Sequence, residues 1–413
     1  MNNRKLVIAA ALLMSMLLLG GCATALLGPD NSAAASPTTS EDAATIVVAE
    51  VNGEAIYKDA LNQAFDSLSY QYYYSGVDTS SDEAVASIKQ EALDSLIKDK
   101  VREQKIAALG YSTLTEEEKA EADADMVEDL VKYIEANCMD DVLETLEEGY
   151  TDEDLQAAKE AYVDTLLSDN GMTRADFVVQ YEKQVINKKA LKAEKGEIAP
   201  TEDEVKAKFD EYVAADEETM GSDPLSYVTS INDGTTVYYA PANVRWVRHV
   251  LIKLDDETVD AISLLRSEGY DAAAEIVLQN GLTAIEERAN EALSKIESGE
   301  ITFEEAIAQY GGDPGQTEKG YPVMANTTAY QEAFTAGAME LTTVGAHTGL
   351  VATDYGYHII EYYQDEAKGP ISYDLVKDEI FKELQETMQN EAWEELLEQW
   401  KTEATVVTYA ERL

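Results

Sequence analysis

Cysteine and histidine are the scarce residues of this 413-residue chain, with two of the first and three of the second. Cys22 and Cys138 allow one disulfide at most, which excludes a disulfide scaffold. Three histidines, no HExxH stretch and no thiol cluster leave little but scattered carboxylates for a metal. We therefore expect no metal and no cofactor. Basic residues are also few: 31 against 81 acidic, a net charge of −50. Such a surface repels phosphate and argues against nucleic acid as a partner. What remains is ample for cores, since 45% of the residues are hydrophobic. The length suits two or three domains. No internal repeat stands out.

The chain begins MNNRKLVIAAALLMSMLLLGGC. Arg4 and Lys5 precede an apolar run, Leu6 to Leu19, that is short for a membrane span. Leu19-Gly20-Gly21-Cys22 resembles the lipobox of bacterial lipoproteins. The resemblance implies a signal peptide over 1–21, cleavage before Cys22 and a lipid on its thiol. That would leave Cys138 without a partner; it lies in a helical pattern and reads as a small buried residue. Residues 22–45 are small, polar and without period, a flexible tether.

From residue 46 the pattern becomes structured. VVAEVNGEAIY (47–57) places Asn52-Gly53 between two β-rich runs, the strongest two-residue hairpin signal. A helix follows, with Leu61, Phe65 and Leu68 on one face. Four tyrosines in SYQYYYSG (69–76) are expected to pack, a peptide-binding surface being the other reading. Residues 82–220 read as successive helices. Gly110 ends the first of them. Capping boxes start others at Thr115/Glu118 and Thr201/Glu204, and Thr151 marks a weaker start. A connector covers 221–242. NVRWVRHVLIKL (243–254) then alternates as a strand. Helical stretches over 257–309, a loop at 310–322, a short helix around 328–340, a second strand and a long helix over 371–402 complete the chain.

Two of the three histidines lie in those strands with apolar neighbours. His249 shares a face with Val247 and Leu251, and His358 shares one with Ile360 and Tyr362, because side chains alternate. If the strands pair, the imidazoles can bond each other and hold a third polar group. His347, in a turn, reads as exposed.

VRHVLIK (247–253), FEEAIAQYGGDPG (303–315) and TDYGYHII (353–360) resemble, in order and spacing, the parvulin-type peptidyl-prolyl isomerases. The lipobox, the VNGEAI hairpin and the helical flanks resemble the PrsA-type foldase lipoproteins. These resemblances imply an α+β protein. A parvulin domain (243–364) with a small antiparallel sheet would be inserted in a mostly helical SurA/PrsA-like chaperone domain, built from 46–242 and 365–413.

By the same resemblance His249, Asp313 and His358 are the catalytic set. Tyr330, Phe334, Met339 and Thr353 would line the substrate pocket, with Met339 the weaker candidate. The expected partners are unfolded or proline-containing secreted polypeptides, the membrane through the lipid at Cys22, and a second copy of the chain. The chain departs from the family at Lys319-Gly320-Tyr321-Pro322-Val323, which alters one pocket wall. Asp255-Asp256-Glu257 replaces a basic phosphate-reading loop, so no preference for phosphorylated Ser/Thr-Pro is expected. A second reading keeps the parvulin fold as scaffold for a holdase without turnover. A third, a solute-binding or adhesion lipoprotein, has no motif in its favour.

Overall fold

The computed structural model describes residues 43–77, 79–146 and 150–413. The lipobox, Cys22 and nearly all of the expected tether lie outside them. In chain order the elements are β1 (Val47–Val51), β2 (Glu54–Tyr57), α1 (Lys58–Tyr74), α2 (Asp82–Leu109), α3 (Glu116–Asn137), α4 (Met139–Leu143), α5 (Asp152–Asp169) and α6 (Arg174–Lys195). There follow α7 (Glu202–Ser222), α8 (Ser226–Asn232), β3 (Tyr239–Ala240), β4 (Arg245–Lys253), α9 (Asp256–Ser267), α10 (Asp271–Glu297), α11 (Phe303–Tyr310) and β5 (Tyr321–Val323). The last are α12 (Glu332–Glu340), β6 (Val351–Thr353), β7 (Gly356–Asp365), β8 (Gly369–Pro370), α13 (Tyr373–Glu403) and β9 (Val406–Thr408). They divide into two compact units. One comprises the described residues up to Pro200 with Glu383–Leu413; the other is Thr201–Lys382.

In the first unit, Asn52 and Gly53 both take positive φ, 50° and 85°, as a type I′ turn requires. The hairpin they close gains β9 as a third strand beside β1. Leu61, Leu93, Ile97 and Val101 share one core with Trp393, Leu396, Leu397 and Trp400. A second core gathers Met126, Leu130, Ile134, Val163, Phe177 and Tyr181 from α3, α5 and α6. Thr151 with Asp154 forms a full capping box, and Thr173 with Asp176 adds one.

Three expectations change here. Ala43–Thr45 is a 3-10 turn with Ala43 buried, so the last three residues of the expected tether are structured. Cys138 is buried as expected, but it caps α3 at a break in the helical pattern. Of the four tyrosines only Tyr72 is half-buried, its hydroxyl donating to Glu91 of α2 at 2.8 Å; Tyr70, Tyr73 and Tyr74 are 49%, 68% and 61% exposed. These three meet one another, Tyr70 and Tyr74 with ring centroids 4.5 Å apart.

The second unit is built on an antiparallel sheet of order β5-β4-β7-β6. One face, with Val250, Ile252 and Ile359, packs on Phe303, Ala306 and Ala289 of α11 and α10. The other face carries Val247 and Ile360 under Phe334 and Ala338 of α12. The stretch 221–242 is more than a connector. Tyr227, Val228 and Tyr239, from α8 and β3, form a core with Val244 and Met324. This unit therefore extends past 243–364 on both sides.

Candidate active site

β4 and β7 pair with Leu251 opposite His358 and His249 opposite Ile360. Opposed residues share a face, so the two imidazoles are diagonal neighbours beneath α12. Their Nδ1 atoms lie 2.7 Å apart. The ring planes differ by only 12° and the centroids are 4.9 Å apart, as for rings joined edge to edge.

The remaining ring nitrogens are satisfied too. His249 Nε2 is 2.7 Å from Asp313 Oδ2, and His358 Nε2 is 2.7 Å from Thr353 Oγ1. These contacts fix the protons once Asp313 is a carboxylate, because a carboxylate only accepts. His249 donates from Nε2 and, when neutral, has a bare Nδ1. That nitrogen accepts from His358 Nδ1–H. His358 Nε2 is then bare and accepts from the Thr353 hydroxyl. Thr353 Oγ1 in turn accepts from the Tyr355 backbone N–H at 3.2 Å. With His249 neutral, the result is one directed chain through both rings.

The electrostatics agree. Burial, reinforced by the adjacent His249, pushes His358 down to about 3. Burial alone would raise Asp313. Hydrogen bonds from His249, Tyr321 and the Gly315 N–H outweigh it and hold the carboxyl at about 2.

The loop carrying Asp313 is clipped to β4. β5 pairs with β4 only from Arg245 to Val247, so the backbone of His249 lacks a strand partner on that side. The side-chain amide of Gln316 takes that place. Its Oε1 accepts from His249 N at 2.7 Å, and its Nε2 donates to His249 O at 3.1 Å. Gly312 N donates to Leu251 O at 2.8 Å.

Above the network is a cavity of about 530 Å³, lined among others by Tyr321, Tyr330, Phe334, Thr353 and both histidines. Phe334 stands steeply to both imidazoles, with centroids 5.3 Å and 5.2 Å away and planes at 84° and 73°. Tyr330 lies before α12 rather than within it, and its hydroxyl is 3.0 Å from both Pro322 O and Asn232 Oδ1. Met339 does not reach the cavity. It packs on the cluster of Val247, Phe334 and Ile360 behind it. His347 is half-buried rather than exposed, with Nδ1 2.9 Å from Thr348 O.

Sequence reasoning missed Gln316, and it read Tyr321 only as part of an altered pocket wall. The unusual Lys319–Val323 segment forms β5 and the end of its loop, and Tyr321 donates to Asp313 Oδ2 at 2.8 Å. Pro322 is tolerated because β5 is an edge strand, where a missing N–H costs no ladder bond. Lys319 turns away, to Glu366 at 2.6 Å and onto the Trp246 ring. The alternation of Tyr-Pro-Val beside Gly320 was the signal available. Among the described residues no cluster of His, Cys, Asp and Glu is arranged to hold a metal.

Residues 249–364 match the model of the PPIC-type PPIASE domain. They are a parvulin-type domain. Residues 2–126 match the SurA-like N-terminal domain. Among curated proteins the chain is similar to a "Foldase protein PrsA" of Clostridium botulinum (strain 657 / Type Ba4). It is 28% identical over 135 residues, 32% of this chain and 40% of that one. A protein of the same name from Clostridium perfringens (strain 13 / Type A) is 25% identical over 237 residues, 54% and 69% of the two chains. The match to the first of these thus spans two fifths of its length. Among solved structures, peptidylprolyl isomerase (PrsA) from Bacillus anthracis aligns over 67% of this chain and 94% of that one, at 22% identity and a TM-score of 0.20. That superposition is too loose to compare whole chains. The parvulin domain contains His249, Asp313, His358 and the cavity above them, and it lies wholly within the second unit.

Proposed function

We propose that the chain is a peptidyl-prolyl isomerase and foldase acting on exported polypeptides. The observation that carries this is the Thr353–His358–His249–Asp313 chain at the floor of an aromatic-lined cavity. An X–Pro bond turns slowly because its partial double bond must twist. No bond breaks, so no nucleophile or cofactor is required. Phe334, Tyr330 and Tyr321 offer ring faces and edges to seat the proline. Twisting removes conjugation and with it negative charge from the substrate carbonyl oxygen. A fixed carboxylate nearby therefore disfavours the planar amide more than the twisted one. A thousandfold acceleration needs only ~4 kcal/mol of this differential.

The test is isomerisation of a short X–Pro peptide by the full chain. We expect His249→Gln and His358→Gln to stay folded and lose at least ~10-fold in rate. Wild-type rates in both variants would sink the proposal. The exposed Tyr70, Tyr73 and Tyr74 favour a second, compatible activity: the first unit holding unfolded clients. Replacing the three with serine should weaken suppression of client aggregation and leave isomerisation unchanged.

The membrane reading rests on Leu19-Gly20-Gly21-Cys22. Among the described residues no helix is long and apolar enough to cross a membrane. One thioether-linked lipid with a diacylglycerol pair would supply the anchor. Cys22→Ser should release the protein from the membrane fraction; unchanged retention rejects the anchor. The family resemblance also brings the homodimer, which light scattering on the lipid-free chain decides.

A further inference from the structure

Asp313 accepts from three donors at once. His249 Nε2–H and the Tyr321 hydroxyl both reach Oδ2, at 2.7 Å and 2.8 Å. The Gly315 N–H reaches Oδ1 at 2.9 Å. The Tyr321 ring also stands edge-on to the His249 ring, centroids 5.7 Å apart and planes at 81°, and makes a similar contact with Tyr330. Tyr321 thus touches the acceptor at one end of the chain, the imidazole next to it and the cavity wall.

We propose that Tyr321 is a positioning residue of the site: its hydroxyl holds Oδ2 of the Asp313 carboxylate toward His249 Nε2 and helps keep that carboxyl a pure acceptor. The direction of the whole chain follows from that acceptance. While Asp313 only accepts and His249 is neutral, His249 donates from Nε2, His358 from Nδ1 and Thr353 from its hydroxyl. Without the phenol, Oδ2 loses a donor in a half-buried place, and the neutral carboxylic acid becomes easier to form. A protonated Asp313 can donate to His249 Nε2, which reverses every bond to Thr353.

The titratable groups facing Asp313 are His249 with His358 behind it, Tyr321, and Lys253, Tyr330 and Tyr355 around the cavity. Burial and the Asp313 charge both raise the Tyr321 phenol, so it stays a proton donor at every pH of interest. The effect on rate rests on the isomerase reading; the effect on protonation does not.

Tyr321→Phe in the full chain separates orientation from packing, since it removes only the hydroxyl. Carbon-13 NMR of the Asp313 carboxyl should place its titration near 2 in the wild type. It should rise by about one pH unit in the variant. Nitrogen-15 NMR should show His249 as the Nε2–H tautomer in the wild type. At neutral pH, where Asp313 stays ionised in both proteins, only the lost orientation acts: kcat should fall several-fold while KM changes less than about twofold. An unmoved carboxyl titration, or a wild-type kcat in the variant, overturns the proposal. If the variant fails to fold, the wild type decides: an ordinary carboxyl titration or an Nδ1–H tautomer on His249 overturns it. A wild type without isomerase activity would sink the function instead, and the NMR readouts would still test Tyr321.

Discussion

At the scale of single residues, His358 is held neutral in a place that an unfolded chain would not provide. Its folded value, about 3, lies below the ordinary imidazole value of 6.5. Between those limits the unfolded state binds a proton that the folded state refuses, so stability must fall as pH drops through that window. The slope is at most ~1.4 kcal/mol per pH unit for one proton. His358→Gln removes this proton, and its denaturation midpoint should depend less on pH between 6.5 and 4 than that of the wild type. Asp313 adds its own share lower down. Its depressed value means stability present above the ordinary carboxylate range and lost as pH falls toward 2. The histidines should also be coupled in catalysis. The double Gln variant should lose less rate than the two single losses combined, because each single change already breaks the chain. Strictly additive losses would mean that the rings act independently.

At the scale of elements, the β6–β7 hairpin decides where His358 sits. Gly356 opens β7 with φ +137°, and a Cβ there would overlap the Ile252 carbonyl oxygen of β4. The glycine in TDYGYHII thus lets two backbones close up. Gly356→Ala should force the start of β7 away from β4, costing activity and roughly 1–3 kcal/mol in chemical denaturation. A wild-type midpoint would show that the strand can shift freely. The Thr302/Glu305 capping box starts α11, whose Phe303 and Ala306 back the sheet. Thr302→Ala should cost ~1 kcal/mol without changing isomerisation, since α11 lies on the face away from the histidines.

At the scale of the whole molecule, the first and last described segments meet in one core. Trp393, Leu396, Leu397 and Trp400 complete a cluster otherwise drawn from Val48 to Leu191. β9 adds to the sheet begun by β1. Trp400→Ala should destabilise the first unit by about 3–5 kcal/mol. Deleting 383–413 should leave that core open, seen as binding of a hydrophobic dye and rapid proteolysis within 46–200. A truncated chain as protease-resistant as the wild type would contradict this account.

The sequence by itself determined what depends on neighbours along the chain. Asn52-Gly53, the capping boxes and the alternation around His249 and His358 are local signals, so the elements and the likeness to parvulins were legible before any coordinates. The small number of histidines made that pair conspicuous. Tertiary structure decided what depends on pairing between distant segments. The register of β4 on β7 joins the two rings, and the clip of Gln316 on His249 brings Asp313 to them. β5 turns an apparent departure, Tyr321, into a third donor to that carboxylate. Met339 drops out of the cavity and Tyr70, Tyr73 and Tyr74 stay in the open for the same reason. Helical spacing tells which residues share a face, but only the fold decides what, if anything, covers it.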